Sequence, residues 1–138
     1  MDHELAVIGI GDIHKQDLGI SVHILKSLEE RFTDESIKFI NGGVDGRRLF
    51  ELLQDLIVRE IIILDVAERV SKPGDLNYLT ITPTESDNLK QLMLVTIEPF
   101  KIGYGNKLSL PLLKRYNSIL KKIESMIEEM LKRPLVSC

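Results

Sequence analysis

Apolar residues fill Leu5 to Ile10 without alternation, and the run stops at Gly9-Ile10-Gly11, ahead of a polar stretch that reaches Gly19. A strand with apolar residues on both sides has to be covered on both faces, as the inner strands of parallel sheets are, which places this one in the middle of a sheet. From Leu18 the period changes. Val22, Leu25, Leu28 and Phe32 recur at steps of three and four, with Lys26, Glu29, Glu30 and Arg31 between them, which makes one apolar stripe along a helix. Ile37 to Ile40 predicts a second strand, ending at Asn41-Gly42-Gly43-Val44-Asp45-Gly46. Leu49, Leu52, Leu53, Leu56 and Ile57 then carry the spacing of a second amphipathic helix.

Glu60 to Leu64 holds the strongest β-branched run and stops at Asp65. The turn Lys72-Pro73-Gly74-Asp75 introduces a strand over Leu76 to Ile81. That turn is too short for a crossover helix, so the strand is expected to be antiparallel and at an edge. Thr82 to Lys90 is polar and contains Pro83, which allows at most one helical turn. Leu92 to Ile97 predicts the last strand, followed by a loop from Glu98 to Lys107. Tyr116, Ile119, Leu120, Ile123, Met126, Ile127, Met130 and Leu131 form a wide stripe on a long closing helix, with Ser109 placed to cap its start and Pro134 to end it. The order β-α-β-α-β-β-β-α calls for an α/β fold of three layers, α/β/α. Its sheet has five strands, mostly parallel with one antiparallel edge strand, in a single domain spanning 1–138.

Composition narrows the function. At 138 residues the chain has room for one continuous core and not for a second catalytic domain. A formal net charge of -3, with lysines and arginines scattered among acids, gives no basic field for phosphates, so no nucleic-acid partner is expected. No run approaches the roughly 20 apolar residues of a membrane span, and Asp2 and Glu4 stand where a signal peptide would be basic. The one cysteine, Cys138, allows no internal disulfide and suits a reducing compartment, so an unprocessed, cytoplasmic protein is expected.

Ligands of open α/β sheets collect at the carboxyl ends of the strands. Three loops should converge there, bringing Asp12, His14, Asp17, Asp45 and Asp65 to one edge. Two or three carboxylates with an imidazole can take a divalent cation. The plainer role for such acids is to cap helix N-termini, and Asp17 stands where the N-cap of the first helix would be. A dinucleotide is disfavoured, because His14 occupies the place of the third fingerprint glycine and the loop carries two acids. There is no Walker-type Gly-Lys-Ser/Thr segment and no Gly-x-Ser-x-Gly elbow. His23 falls on the first helix as a packing residue, and His3 lies at the wrong end of the sheet.

The succession Gly9-Ile10-Gly11-Asp12-x-x-x-x-Asp17-x-Gly19, Asn41-Gly42-Gly43-x-x-Gly46, Ile62-Ile63-Leu64-Asp65, Pro73-Gly74 before a strand, and Leu94-Val95-x-Ile97 with Ser109 ahead of a long helix resembles the hydrogenase maturation endopeptidases. The resemblance implies a twisted five-stranded sheet flanked by helices. It also implies a protease that removes a short C-terminal peptide from the large subunit of a nickel-iron hydrogenase once nickel is inserted. In that family the substrate's nickel is met by a glutamate in the first loop, an aspartate after an apolar strand and a histidine on a later helix. Asp65 matches the aspartate. The glutamate position is Leu18, and the segment between Ile81 and Leu92 has no histidine and no room for the family's helix. The family's asparagine is Asp12, and its Asp-Gly-Gly-Thr is Asn41-Gly42-Gly43-Val44.

Together these readings predict Asp65 and Asp17 as catalytic residues and Asp65, Asp17 and His14 as metal ligands. Asp12, Gly42 and Gly43 are expected to bind substrate, and the cation is the substrate's nickel or another divalent ion. The expected partner is the hydrogenase large-subunit precursor. The alternative is a non-catalytic relative holding a protein tail or a small ligand in the same cleft.

Overall fold

The computed structural model describes residues 4–33, 35–81 and 91–132. Five strands, β1 (Leu5–Gly9), β2 (Ile37–Asn41), β3 (Glu60–Val66), β4 (Leu76–Ile81) and β5 (Gln91–Ile97), form one sheet in the order β2-β1-β3-β5-β4. All neighbours are parallel except β4, which runs antiparallel to β5 at the edge. The antiparallel edge follows from the short proline-glycine turn, as expected. The central strand is β3, with β1 one place away and still walled on both sides. β3 is also two residues longer than its apolar run, so Asp65 and Val66 are paired strand residues opposite Thr96 and Ile97. The expectations for 82–90 and for Pro134 lie outside the described residues.

Strand alternation divides the core in two. Leu5 and Val7, Ile62 and Leu64, and Val95 and Ile97 point to one face, where they pack with α1 (Ile20–Arg31) and α3 (Leu110–Lys132) through Ile20, Ile24, Leu28, Ile119, Ile123 and Ile127. The intervening residues Ala6, Ile8, Ile61 and Ile63 point to the other face, with Leu56 and Val58. Among the described residues only α2 (Leu49–Asp55) covers that side, and none of its residues is fully buried. Leu49 and Leu53 reach the cluster as partly buried neighbours.

This unequal cover matters at the β4 edge. Leu79 and Ile81 share the α2 face with Leu94 and Leu92, their register partners, yet are 52% and 46% exposed. No helix among the described residues is long and apolar enough to cross a membrane.

Candidate active site

The loop after β1 is shaped by its glycines. A Cβ on Gly11 would run into the Leu18 carbonyl oxygen, so residues 11–18 can close on themselves only with glycine there. The closure is visible in the backbone, where Asp12 N–H donates to Leu18 O (3.1 Å) and Lys15 N–H to Asp12 O (3.1 Å). The first two loops do converge. Gly42 N–H donates to Gly9 O (2.8 Å) and Gly11 N–H to Gly43 O (3.1 Å), while Ile10 N–H reaches Leu64 O at the end of β3 (2.8 Å). Gly42 and Gly43 therefore act as backbone ties between loops.

Asp17 is a correction to the sequence reading. It lies in a 3-10 turn (Gln16–Gly19) ahead of α1, makes no cap bond to that helix, and is 0% exposed. Its carboxylate accepts four hydrogen bonds from the far end of the chain. Phe100 N–H (2.9 Å), Lys101 N–H (2.7 Å) and the Ser109 hydroxyl (2.7 Å) donate to Oδ2, and Ser109 N–H (2.7 Å) donates to Oδ1. A buried carboxylate surrounded by donors is satisfied by them and has no solvent-facing oxygen to offer a cation. Asp17 is the clamp that pins the loop after β5 onto the loop after β1. The backbone completes it through Asp17 N–H to Lys101 O, Gln16 N–H to Gly105 O and Gly105 N–H to His14 O. Ser109, expected to cap α3 with its hydroxyl, gives that hydroxyl to Asp17; its carbonyl accepts Leu113 N–H (2.9 Å).

Asp12 and His14 sit on the outer side of this clasp. Asp12 is half-buried and its Oδ1 accepts His14 N–H (2.9 Å), a short turn in which His14 is exposed. Asp45 is exposed and paired with Arg47 (3.2 Å). His23 packs as expected: burial, with Lys26 close by, holds its imidazole below the usual histidine range.

Asp65 differs from these. It is half-buried near the carboxyl end of the central strand, and among the described residues its carboxylate accepts only the Val66 N–H (2.8 Å, at Oδ1). Burial pushes its carboxyl above the usual carboxylate range. By strand alternation it shares the α2 face with Ile61 and Ile63, whereas Asp17 and Ser109 lie with the start of α3 on the opposite side. The ligand set Asp65, Asp17 and His14 is thus not assembled, and no group of three His, Cys, Asp or Glu among the described residues is arranged to hold a metal ion.

The register carries Asp65 into a polar row that the sequence reading missed. Asp65 faces Thr96 on β5, and Thr96 faces Asn77 on β4. An acid that the sequence reading did miss, Glu98, is 5% exposed and accepts Arg69 N–H (2.8 Å) and the Ser71 hydroxyl (2.9 Å). The Arg69 amide chiefly holds its carboxyl below the ordinary value. An acid directly after an apolar strand was the available signal, as for Asp65. A separate cavity of about 550 Å³ opens beyond β2, lined by Gly42, Gly43, Asp45, Arg47, Arg48 and Glu51 among others. Neither Asp65 nor Asp17 borders it.

Comparison with known proteins agrees with this fold. The model of the hydrogenase maturation protease family matches residues 22–93. Coenzyme F420 hydrogenase subunit delta of Methanothermobacter thermautotrophicus is 32% identical over 85 residues, covering 59% of this chain and 54% of that protein. Hydrogenase 2 maturation protease of Escherichia coli is 29% identical over 108 residues, covering 76% of this chain and 61% of that protein. The chain thus spans less than two thirds of the length of these curated relatives. Among solved structures, the hydrogenase maturating endopeptidase HybD of E. coli superposes with a TM-score of 0.74 at 22% identity, covering 91% of this chain and 93% of its own. The [NiFe] hydrogenase maturation protease HycI of Thermococcus kodakarensis gives 0.71 at 15%, with 94% and 93% covered. Likeness at these identities is likeness of fold.

Proposed function

The chain belongs to the hydrogenase maturation protease family, and from that premise we propose that it is an endopeptidase removing a C-terminal peptide from the large-subunit precursor of a nickel-iron hydrogenase. The single observation that carries the reading is Asp65. It is a half-buried carboxylate at the carboxyl end of the central strand, with its own next amide as its one bond among the described residues. A carboxylate in that state can ligate a cation or orient a water molecule, as the buried Asp17 cannot.

In this reading the nickel belongs to the substrate. It arrives in the precursor, and Asp65 meets it when the loaded subunit docks. The neighbouring first-loop position is Leu18, which has no ligand atom, so recognition through Asp65 leans more on the docked polypeptide than on a cage of side chains. Glycine loops tied edge to edge supply a firm floor for that docking. With its one cysteine, Cys138, the chain needs no oxidising compartment, and the reaction is assigned to the cytoplasm.

The test uses the purified chain with the large-subunit precursor, nickel-loaded and nickel-free, followed by intact-mass spectrometry. Loss of a C-terminal peptide from the loaded form alone, abolished by Asp65→Ala, is the expected result. A loaded precursor that stays whole in the presence of folded wild-type protein overturns the proposal.

A further inference from the structure

The α2 face of the β5–β4 edge carries two polar atoms without partners among the described residues. Thr96 is 4% exposed, and neither its Oγ1 nor the Nδ2 of Asn77 finds a hydrogen-bond partner there. The two residues are register partners. Buried polar atoms left without a bond cost stability, so a facing pair of them calls for an explanation.

Both residues line one small cavity of about 180 Å³, which Arg69, Tyr78, Leu79 and Leu94 line as well. The two unpartnered atoms are the Asn77 amide N–H₂ and the Thr96 hydroxyl. Both can donate, and of the two only the hydroxyl can also accept. The group that fits is therefore an oxygen acceptor. Leu79 and Leu94, partners in the next row of the same face, give that acceptor an apolar flank. An acceptor with apolar matter beside it is what a main-chain carbonyl and its side chain present.

Position gives the cavity its meaning. Thr96 lies between Asn77 on one side and Asp65 on the other, and neighbouring strands are about 4.8 Å apart. A chain segment lying across the row passes from Asn77 over Thr96 to Asp65 within the length of about three extended residues. The face is open to such a segment, since Leu79 and Ile81 are about half exposed.

We propose that Asn77 and Thr96 form a peptide-binding subsite, in which the Asn77 amide and the Thr96 hydroxyl donate to a main-chain carbonyl of an extended polypeptide and thereby lay that polypeptide across Asp65. Identifying the polypeptide with the precursor tail rests on the function proposed above. Both residues are positioning residues and take no part in bond breaking.

The probe is a synthetic peptide with acetylated and amidated ends, spanning the C-terminal processing region of the large-subunit precursor. Its titration into the 15N-labelled chain should shift the Asn77 side-chain amide signals. Asn77→Leu and Thr96→Val should each weaken binding about tenfold, the loss of one satisfied hydrogen bond. Both variants should melt no lower than the wild type, because each removes an unpartnered buried polar atom. In the precursor assay they should raise KM with kcat kept, whereas Asp65→Ala removes kcat.

Unchanged peptide affinity in both variants overturns the subsite, as does a wild-type chain that does not bind the peptide. So does a fall in melting temperature with affinity kept, which is the mark of internal bonding or of a resident water. The two proposals fail separately. A precursor that is never trimmed, with peptide binding that still depends on Asn77, sinks the enzyme and keeps the subsite. Trimming with KM unmoved by either variant does the reverse.

Discussion

Asp17 and Ser109 stand 92 positions apart and meet through two hydrogen bonds of 2.7 Å each, from the serine's amide and from its hydroxyl to opposite carboxylate oxygens. The pair joins the first loop of the fold to the start of its last helix. The Phe100 and Lys101 amides donate to Oδ2 as well. One buried charge therefore organises a loop that has little regular structure of its own.

Replacing Asp17 with Asn puts an N–H₂ group among donors and should destabilise the fold by about 3 kcal/mol, because a buried network loses one of its two acceptor oxygens and gains a clash of like partners. For a chain of this size that is roughly 10 °C in Tm. Ser109→Ala removes only the hydroxyl bond and should cost about 1 kcal/mol. Urea melts of the two variants and their double mutant measure the coupling. An Asp17→Asn protein that melts like the wild type would show the clamp to be decorative.

Gly11→Ala should be among the most damaging changes to the first loop. The added Cβ meets backbone, the Leu18 carbonyl oxygen, and has no flexible side chain to push aside. The loop must open, breaking the Asp12 to Leu18 bond and loosening the Gly11 to Gly43 tie. A loss of about 2–4 kcal/mol is expected, together with rapid hydrogen exchange at the Asp12 amide. A normally protected Asp12 amide in that variant would contradict the account.

The division between what the sequence shows and what it hides follows from the range of the interactions. Periodicity is local, so the apolar runs and stripes disclose five strands and three helices, and the short Pro73-Gly74 turn discloses the antiparallel edge. Asp17 looks like a cap because caps are local too. Its real partners lie in 100–109, a mixed, glycine-containing stretch with no period to betray it. Asp65 is legible as an acid at a strand end. Its neighbours Thr96 and Asn77 are not, since each reads as an ordinary strand residue until two registers are known.

Arg115 offers a test at the β4 edge of the same sheet end. Its guanidinium donates to Pro73 O (2.6 Å) and to Asp75 Oδ1 (2.9 Å), tying the turn before β4 to α3. That side-chain hydrogen bond is the leading reason the Asp75 carboxyl lies below its ordinary value. Its contribution is therefore present above the unfolded carboxyl's pKa and is lost as pH falls through the lowered native one. Arg115→Met should remove this acid-side dependence and speed hydrogen exchange at Gly74 and Glu98, whose amides donate to Glu98 O and Asp75 O across the same turn. Unaltered exchange at both amides would mean that the turn stands without Arg115.

Asp65 should give the opposite pH signature. Burial raises its carboxyl above the ordinary 3.8, so between that value and its raised native pKa the folded chain keeps a proton that the unfolded chain has released. Stability accordingly falls as pH rises through this window and levels off above it. Asp65→Asn, which cannot titrate, should flatten that slope and be at least as stable as the wild type at neutral pH. Catalysis moves the other way, because only the ionised carboxylate can meet a cation. Processing of the nickel-loaded precursor should therefore rise with pH through the same native pKa at which the stability loss ends. Paired measurements of urea stability and single-turnover cleavage between about pH 3.5 and pH 8 bracket that range. Coincident midpoints, both absent in Asp65→Asn, would identify one group behind both curves; midpoints that do not coincide would remove Asp65 from the chemistry.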